Sequence, residues 1–600
     1  MKNPVMLLSL LAVAIAACSD SQNAPEASSP AASASVAAPV MQDTPVIAPA
    51  KPVDDVIMNT GTLTGSVTAP VPFQAAQIYA MNSDSNILYM VYTQDGRFEA
   101  VNMIPGNYEV SVRKFGLAAP TQSVNIQPGA SIALDFSLTE GTPPPEQEDL
   151  FGTAGTEFVA YEELFPPGDG HDDVEGTCLS CHNATFFGQQ SMPGVYWDGV
   201  VDRMIARGHI RAGTFDDREK SDIAAYLTAN FGLDSIPRAV PADFPLDEKA
   251  LGKAQYVEYY LPLDPVLDAN NTNRRAQEVD IDQFGNIWFT ERTVPNRIGK
   301  LDPRTGKVTD YPLPDTSADP HGLNIDRFGK IWWAETDGFH LGRLDPETGD
   351  MTRFNMNHGD ETIVGRGHTP YLDSKDNVWF STRDFVLDGV ESEFDGIGVW
   401  SRTTGEITLY MEPTADSRPY GLLVDVNDII WTGLSRGCGV ASFNPATEEW
   451  TEYFSPSQVA GEAPCNVRRL GVDSTGSTVW FGIYSMGKMG KIDVATGEMT
   501  EYDIPMFSSQ PYDTWPDPND DSKVWVTDGG QGGTIILFSP ETADFTYYPT
   551  PQFSDYPKIR VAGDGTVWYP ARAARKAALG ALYPDKHKMT SLAAQPYRYR

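Results

Sequence analysis

The stretch "GNIWFTERTVPNRIGKLDPRTGKVTDYPLP", residues 285–314, alternates apolar and polar residues in short runs separated by Gly, Asn, Asp and Pro. That is the pattern of antiparallel strands joined by tight turns. Its tryptophan returns: Trp288, Trp332, Trp379, Trp431, Trp480, Trp525 and Trp568 stand in matching contexts, such as "NIDRFGKIWWAET" (324–336) and "RVAGDGTVWYPAR" (560–572), about 45 residues apart. The pattern gives four strands per unit and seven units. One unit cannot bury both faces of its sheet, but a closed ring can, so residues 253–600 read as a seven-bladed β-propeller. "QYVEYYLPL" (255–263) precedes the first unit yet looks like the outermost strands "KVTDYPLP" (307–314) and "EMTEYDIP" (498–505). It is expected to complete the last blade and fasten the ring.

The remaining chain reads as several further modules, making the protein multidomain and mainly β. Residues 1–18 carry a basic start at Lys2, an apolar run too short to span a bilayer and small residues before Cys18. This resembles a bacterial lipoprotein signal, which implies lipidation of Cys18 and a cell-envelope location facing the periplasm or the outer surface. An ordinary secretory signal is the alternative. Residues 19–56 are rich in Ala, Ser and Pro and read as a disordered tether. Past the N-terminus no run of 18 apolar residues occurs, so the membrane is expected to be met only through the lipid. A net charge of −37 argues against a nucleic-acid partner.

Residues 57–139 alternate with strand period between turn signals, as in a β-sandwich. "TQDGRFEAVNMIPGNYEVSVRKFG" (93–116) resembles the carboxypeptidase regulatory-like (transthyretin-like) module, which implies a spacer or docking unit. A Pro- and Glu-rich linker covers 140–150. Residues 151–235 then switch to helical spacing, as in "GVYWDGVVDRMIARG" (194–208) and "FDDREKSDIAAYLTANFG" (215–232), giving a small all-α domain.

That domain opens on "GTCLSCHNATFFG" (176–188). Two thiols at this spacing reach the two vinyl groups of a haem, and the adjacent His182 reaches its iron. Cys178 and Cys181 are therefore candidate thioether sites for one covalent haem c, with His182 as an axial ligand. Zinc would need further ligands nearby, and a thioredoxin-like dithiol would need a βαβ context. Met204 is the first candidate for the sixth iron ligand, Met192 its rival, and His171 and His209 are outsiders. The segment resembles the mono-haem cytochrome c domains of periplasmic dehydrogenase subunits, in which a methionine placed like Met204 ligates iron. With Cys18 lipidated and Cys178 and Cys181 acting together, Cys438 and Cys465 remain as a candidate disulfide or as two separate buried thiols.

The propeller pieces "GNIWFTERTVPNRIGKLDP" and "GKIWWAETDGFHLGRLDPETG" resemble the virginiamycin B (streptogramin) lyase family. The resemblance implies a funnel with a magnesium ion and a His/Glu cluster that eliminates across a carbon–oxygen bond. The match is partial in either register. With His321 as the second histidine, Asp319 and Glu335 supply carboxylates but Gln277 replaces the first histidine. With His368 second and His321 first, Arg366 and Thr382 replace the carboxylates. Counting eleven residues back from each tryptophan, with allowance for loop insertions, collects Gln277, His321, His368, Tyr420, Arg468 or Arg469 and Tyr512; counting three forward collects Glu291, Glu335 and Asp528. Together they would suit a small polar or anionic substrate, with or without Mg2+, and His321, Glu335 and His368 are the candidate catalytic residues.

Three readings follow. The first is an exported haem oxidoreductase whose propeller binds substrate while the haem exchanges electrons with a periplasmic redox partner. The second is a magnesium-dependent lyase with an ancillary haem. The third is a non-enzymatic binding platform with an electron relay.

Overall fold

The computed structural model describes residues 59–143, 147, 156–188, 192–206, 210, 213–241, 244–263, 274–356, 363–387, 390–391, 395–458, 465–530, 533–572 and 576–596. The signal segment with Cys18, the tether and His209 lie outside these residues.

An aspartate six residues before the tryptophan recurs in blades 1 to 4 and explains much of the repeated blade. In blade 1, Asp282 accepts hydrogen bonds at Oδ1 from the amides of Phe284 (2.8 Å) and Asn286 (2.9 Å), which tightens the turn. Its Oδ2 accepts from the Trp288 indole at 2.9 Å. Asp326, Asp373 and Asp425 hold Trp332, Trp379 and Trp431 in the same way. One carboxylate thus ties the hairpin turn to the large side chain that fills the sheet-to-sheet core, satisfying a buried indole N–H as it does so.

Seven antiparallel sheets result. Blade 1 runs Ala276–Ile281, Ile287–Glu291, Arg297–Asp302 and Lys307–Pro312. Blades 2 to 6 begin on Pro320–Ile325, Ile363–Leu372, Pro419–Val424, Val467–Val472 and Pro511–Asp517. Blade 7 takes Arg560–Val561, Val567–Ala571 and Ala578–Tyr583 from the end of the chain, and Gln255–Tyr260 pairs onto Ala578–Tyr583 as its fourth strand. The first propeller strand therefore closes the ring on the last.

The same strand has a second partner. Its other edge pairs antiparallel with Ile87–Tyr92 of the N-terminal module, so blade 7 continues into a sheet of eight strands. A three-stranded sheet, in which Gly61–Thr68 runs between Arg97–Met103 and Ser131–Ser137, packs on the near part of it. Leu63, Phe98, Tyr89 and Val110 share one buried cluster with Val257, Phe289 and Trp568 of the propeller. The N-terminal module, expected as a spacer or docking unit, is joined to the ring through this core.

Residues 156–239 are mainly helical, the longest helix being Asp217–Phe231, whose start is held by a reciprocal capping box between Asp216 and Glu219. The segment is not all-α: Glu157–Phe158 and Arg238–Ala239 pair in parallel and draw its two ends together. Phe165, Phe187, Trp197, Leu227 and Phe231 form its buried core.

Candidate functional site

Each of blades 1 to 6 carries a bulge in its innermost strand. The ladder of blade 1 passes from Ala276–Glu291 to Val279–Phe289, leaving Gln277 and Glu278 opposite one residue. The same shift isolates His321 and Gly322, His368 and Thr369, Tyr420 and Gly421, Arg468 and Arg469, and Tyr512 and Asp513. In a regular strand consecutive side chains face opposite ways, whereas a bulge re-aims the pair. Two of the second positions are glycine for lack of room. A Cβ on Gly322 would lie 2.6 Å from the His368 carbonyl oxygen, and one on Gly421 would lie 2.8 Å from that of Arg468.

The six residues picked out by counting from tryptophan do come together. Gln277 Nε2 lies 3.2 Å from His321 Nε2, and the His321 and His368 rings are 3.7 Å apart. His368 is 3.9 Å from the Tyr420 ring, and the Tyr420 and Tyr512 hydroxyls are 2.6 Å apart. Arg468 lies over Tyr484 at 3.6 Å and Tyr512 at 4.5 Å. Burial, then the nearby Arg292, Arg469, Arg383 and Arg572, holds His321 well below the usual imidazole range; burial and His321 do the same to His368. Both rings are neutral at neutral pH. Burial alone would raise Tyr512, but Arg468, Arg572 and Arg469 outweigh it and bring the phenol to about 8.

The carboxylates are arranged otherwise than expected. His321 is not paired with Glu335, which receives the Arg353 guanidinium at 3.0 Å and the Trp333 indole at 3.1 Å within blade 2. Glu291 is bound by Arg274, and Asp528 by Ser509 and the Gln510 and Gly530 amides. All three end second strands, where Glu291 and Glu335 are paired with arginines and Asp528 is hydrogen-bonded by a hydroxyl and two amides. The carboxylate facing His321 is Glu278, with Oε1 3.5 Å from Nδ1. Burial would raise Glu278, but Arg469 and Lys558, with help from His368, hold it down at about 2. Glu278 and Asp513 were not found by the count because they stand one residue further along their strands, and Lys558 because it lies in the segment before the strand Arg560–Val561. Arg292, Arg383 and Arg572, which approach from elsewhere, were missed as well.

The Cys178–His182 loop lies on this assembly. Arg468 Nη2 donates to the Cys181 carbonyl at 3.0 Å, and Gln510 Nε2 donates to that of Leu179 at 2.8 Å. Asn183 Nδ2 donates to Gly529 O at 2.7 Å, and the Tyr161 and Phe507 rings meet at 5.0 Å. A cavity of about 510 Å3 opens between the loop, at Glu175, Leu179 and Ser180, and the propeller, at Ser485, Met486 and Gln510. Cys465 borders it and is joined to Cys438 in a disulfide.

Within the loop both thiols are free, and the Cys181 and His182 amides donate to the Cys178 carbonyl, so the motif winds into one turn. Cys178 packs on the helical core, and burial pushes its thiol up to about 12. The His182 ring stacks on Phe186 at 4.3 Å; burial, then Arg468, lowers it to about 4, which leaves the imidazole neutral as a metal ligand must be. This donor set, two free thiols and a neutral imidazole on one turn against an apolar core, fits a thioether-bound haem. Met204 is half-buried on the helix Val200–Ala206. Met192 is buried, its amide bonded to the Phe231 carbonyl, and His171 is engaged by Asp172 at 2.8 Å. Magnesium fits less well. Among the described residues no three His, Cys, Asp or Glu side chains are grouped to hold a metal ion, and Glu278 is already neutralised by Arg469 and Lys558.

The model of the virginiamycin B lyase family matches residues 271–441, the first three blades and the inner strands of the fourth. No curated protein matches the chain. Among solved structures, a streptogramin B lyase is similar at 21% identity, over 55% of this chain and 97% of that one, with a TM-score of 0.45. The selenomethionine form of virginiamycin B lyase from Staphylococcus aureus is similar at 20% identity, over 55% and 99%, with a TM-score of 0.45. A catalytically inactive variant of that lyase with quinupristin gives 20%, the same coverage and a TM-score of 0.44. The chain is mainly β, and its propeller is virginiamycin B lyase-like.

Proposed function

We propose that this chain is an exported, lipid-anchored c-type haem protein that transfers electrons at the mouth of its propeller, whose funnel holds a small polar or anionic substrate. The observation that carries the reading is the seating of the Cys178–His182 loop on blades 5 and 6 through Arg468 and Gln510. Cys178 and Cys181 would hold the haem by thioethers and His182 and Met204 would bind its iron; the haem, when bound, supplies a one-electron couple. The chain's own residues do the rest. Phe186 and Phe187 orient the His182 ring and keep water from it. Arg468 fixes the loop's carbonyl over the funnel and places a positive charge beside it. Tyr512, Tyr420, His368 and His321 form an unbroken row of packed polar rings from that arginine into the funnel.

In this reading residues 57–139 are a carboxypeptidase regulatory-like spacer, Cys18 carries the lipid, and a periplasmic redox protein is the electron partner. A virginiamycin B lyase-like carbon–oxygen lyase with an ancillary haem is the second reading, favoured by the family match over 271–441. It is weakened by the capture of Glu291 and Glu335 within their blades.

The test is an optical spectrum of the full chain produced with haem-maturation machinery, oxidised and then reduced. A covalent c-type haem that disappears in Cys178→Ala/Cys181→Ala is expected. The sulfur-to-iron charge-transfer band of the oxidised protein should vanish in Met204→Ala. Absence of covalent haem, together with magnesium-dependent opening of a cyclic depsipeptide, would favour the lyase.

A further inference from the structure

The funnel neck holds more positive charge than its own carboxylates answer. Arg292 is taken by Asp319 at 2.6 Å and Arg572 by Asp555 at 3.1 Å, while Arg469 and Lys558 share Glu278. Among the described residues, Arg383 and Arg468 have no carboxylate within ion-pair distance. A cation withdrawn from water without a counter-charge is unfavourable, and the more so the deeper it lies.

The hydrogen-bond inventory points the same way. Arg383 Nε, Arg468 Nε and Arg469 Nε are buried and have no hydrogen-bond partner, whereas His321 Nδ1, which has none either, already faces Glu278 Oε1 at 3.5 Å. All four are donors. The guanidinium nitrogens can be nothing else, and the His321 proton follows from its neighbours. Arg572 Nη1 donates to Gln277 Oε1 at 2.9 Å, which turns the Gln277 amide nitrogen to His321 Nε2, making that atom the acceptor and leaving the proton on Nδ1. The four groups surround one ring. The Arg383, Arg469 and Arg468 guanidinium carbons lie 5.5, 5.8 and 5.9 Å from the Tyr420 centroid, and the His321 centroid lies 6.4 Å from it. His321 and Arg469 are each 2% exposed. What such a neck lacks is an acceptor-rich, negatively charged group, for which arginine forks are suited.

We propose that the funnel neck around Tyr420 binds a small anion bearing a carboxylate or another oxyanion, with Arg383, Arg468 and Arg469 as donors. The site therefore differs in kind from one built for a divalent cation. The inference rests on the funnel being a ligand compartment, and it does not depend on haem attachment.

The experiment is calorimetric titration of the full chain, as produced with haem-maturation machinery and whether or not it carries haem, at fixed ionic strength set with KCl, with phosphate, sulfate, malonate and, separately, MgCl2. One-to-one binding of at least one anion is expected, weakened roughly tenfold or more in Arg383→Gln and again in Arg469→Lys. Preference for malonate would identify a carboxylate ligand, and preference for phosphate or sulfate an inorganic oxyanion. Arg383 is only half-buried, so its variant tests the site with the least risk to folding. Absence of binding by all three anions at millimolar concentration would overturn the proposal, as would affinities equal in wild type and both variants, or magnesium binding that excludes the anions. The haem spectrum, recorded on the same sample, reports separately on the electron-transfer reading.

Discussion

Glu278 stands second in the bulge of blade 1, fully buried, and stays ionised because Arg469 and Lys558 face it. Its carboxyl falls from 4.5 to about 2 on folding. A lowered acid stabilises the fold above the unfolded value and loses that contribution as pH falls through the folded one, so roughly 3 kcal/mol should disappear between pH 4.5 and 2. Urea titrations against pH should show this slope in wild type and not in Glu278→Gln. That variant should also lose about 3 kcal/mol at neutral pH, since Arg469 and Lys558 lose one of their two buried counter-charges and keep only Asp513. The eleventh residue before each tryptophan could be read from the sequence because the repeat fixes its place. Glu278 and Asp513 could not, since strand alternation assigns adjacent residues to opposite faces and only a bulge turns both inward; Lys558 could not because it precedes the first strand of blade 7. Glu335 was misplaced for a related reason: its equivalence to Glu291 and Asp528 was visible, but not the Arg353 that holds it.

At the scale of elements, the closing strand Gln255–Tyr260 carries a buried carboxylate of the opposite behaviour. Burial raises Glu258 to about 7, and the hydrogen bonds from Gln552 and Tyr569 offset this only in part. The folded state keeps a proton that the unfolded chain releases near 4.5, so stability should fall by roughly 3 kcal/mol as pH rises from 4.5 to 7. Glu258→Gln should flatten that slope in thermal unfolding across the same range. The Cys438–Cys465 bridge closes 27 residues of blades 4 and 5, and its loop entropy corresponds to roughly 3.5 kcal/mol. Cys438→Ala/Cys465→Ala should lower the denaturation midpoint accordingly, and reductant should do so in wild type alone. Closure of the ring was legible because 255–263 repeats the outer-strand pattern. The strand Ile87–Tyr92, "ILYMVY", is buried at every position, and its unbroken apolar run was the available sign of a strand covered on both faces. Which strand it would meet was not in the pattern.

For the whole molecule, one sheet runs from the N-terminal module through blade 7, and one core spans both. The two should therefore unfold in a single calorimetric transition, and a Pro at Val257, which is paired on both sides, should lower the midpoint of both together. The order of modules was legible from composition and period. Their docking was not, because it rests on a few contacts between segments some 300 residues apart, such as Arg468 with Cys181. Those contacts are the centre of the account, and an optical redox titration of the haem-loaded full chain beside Arg468→Gln and Arg468→Lys tests them most directly. A positive charge next to the haem loop favours the reduced form, so the midpoint potential should fall in Arg468→Gln and stay near wild type in Arg468→Lys, with haem content unchanged. A chain that binds no covalent haem, or one whose potential ignores Arg468, would contradict it.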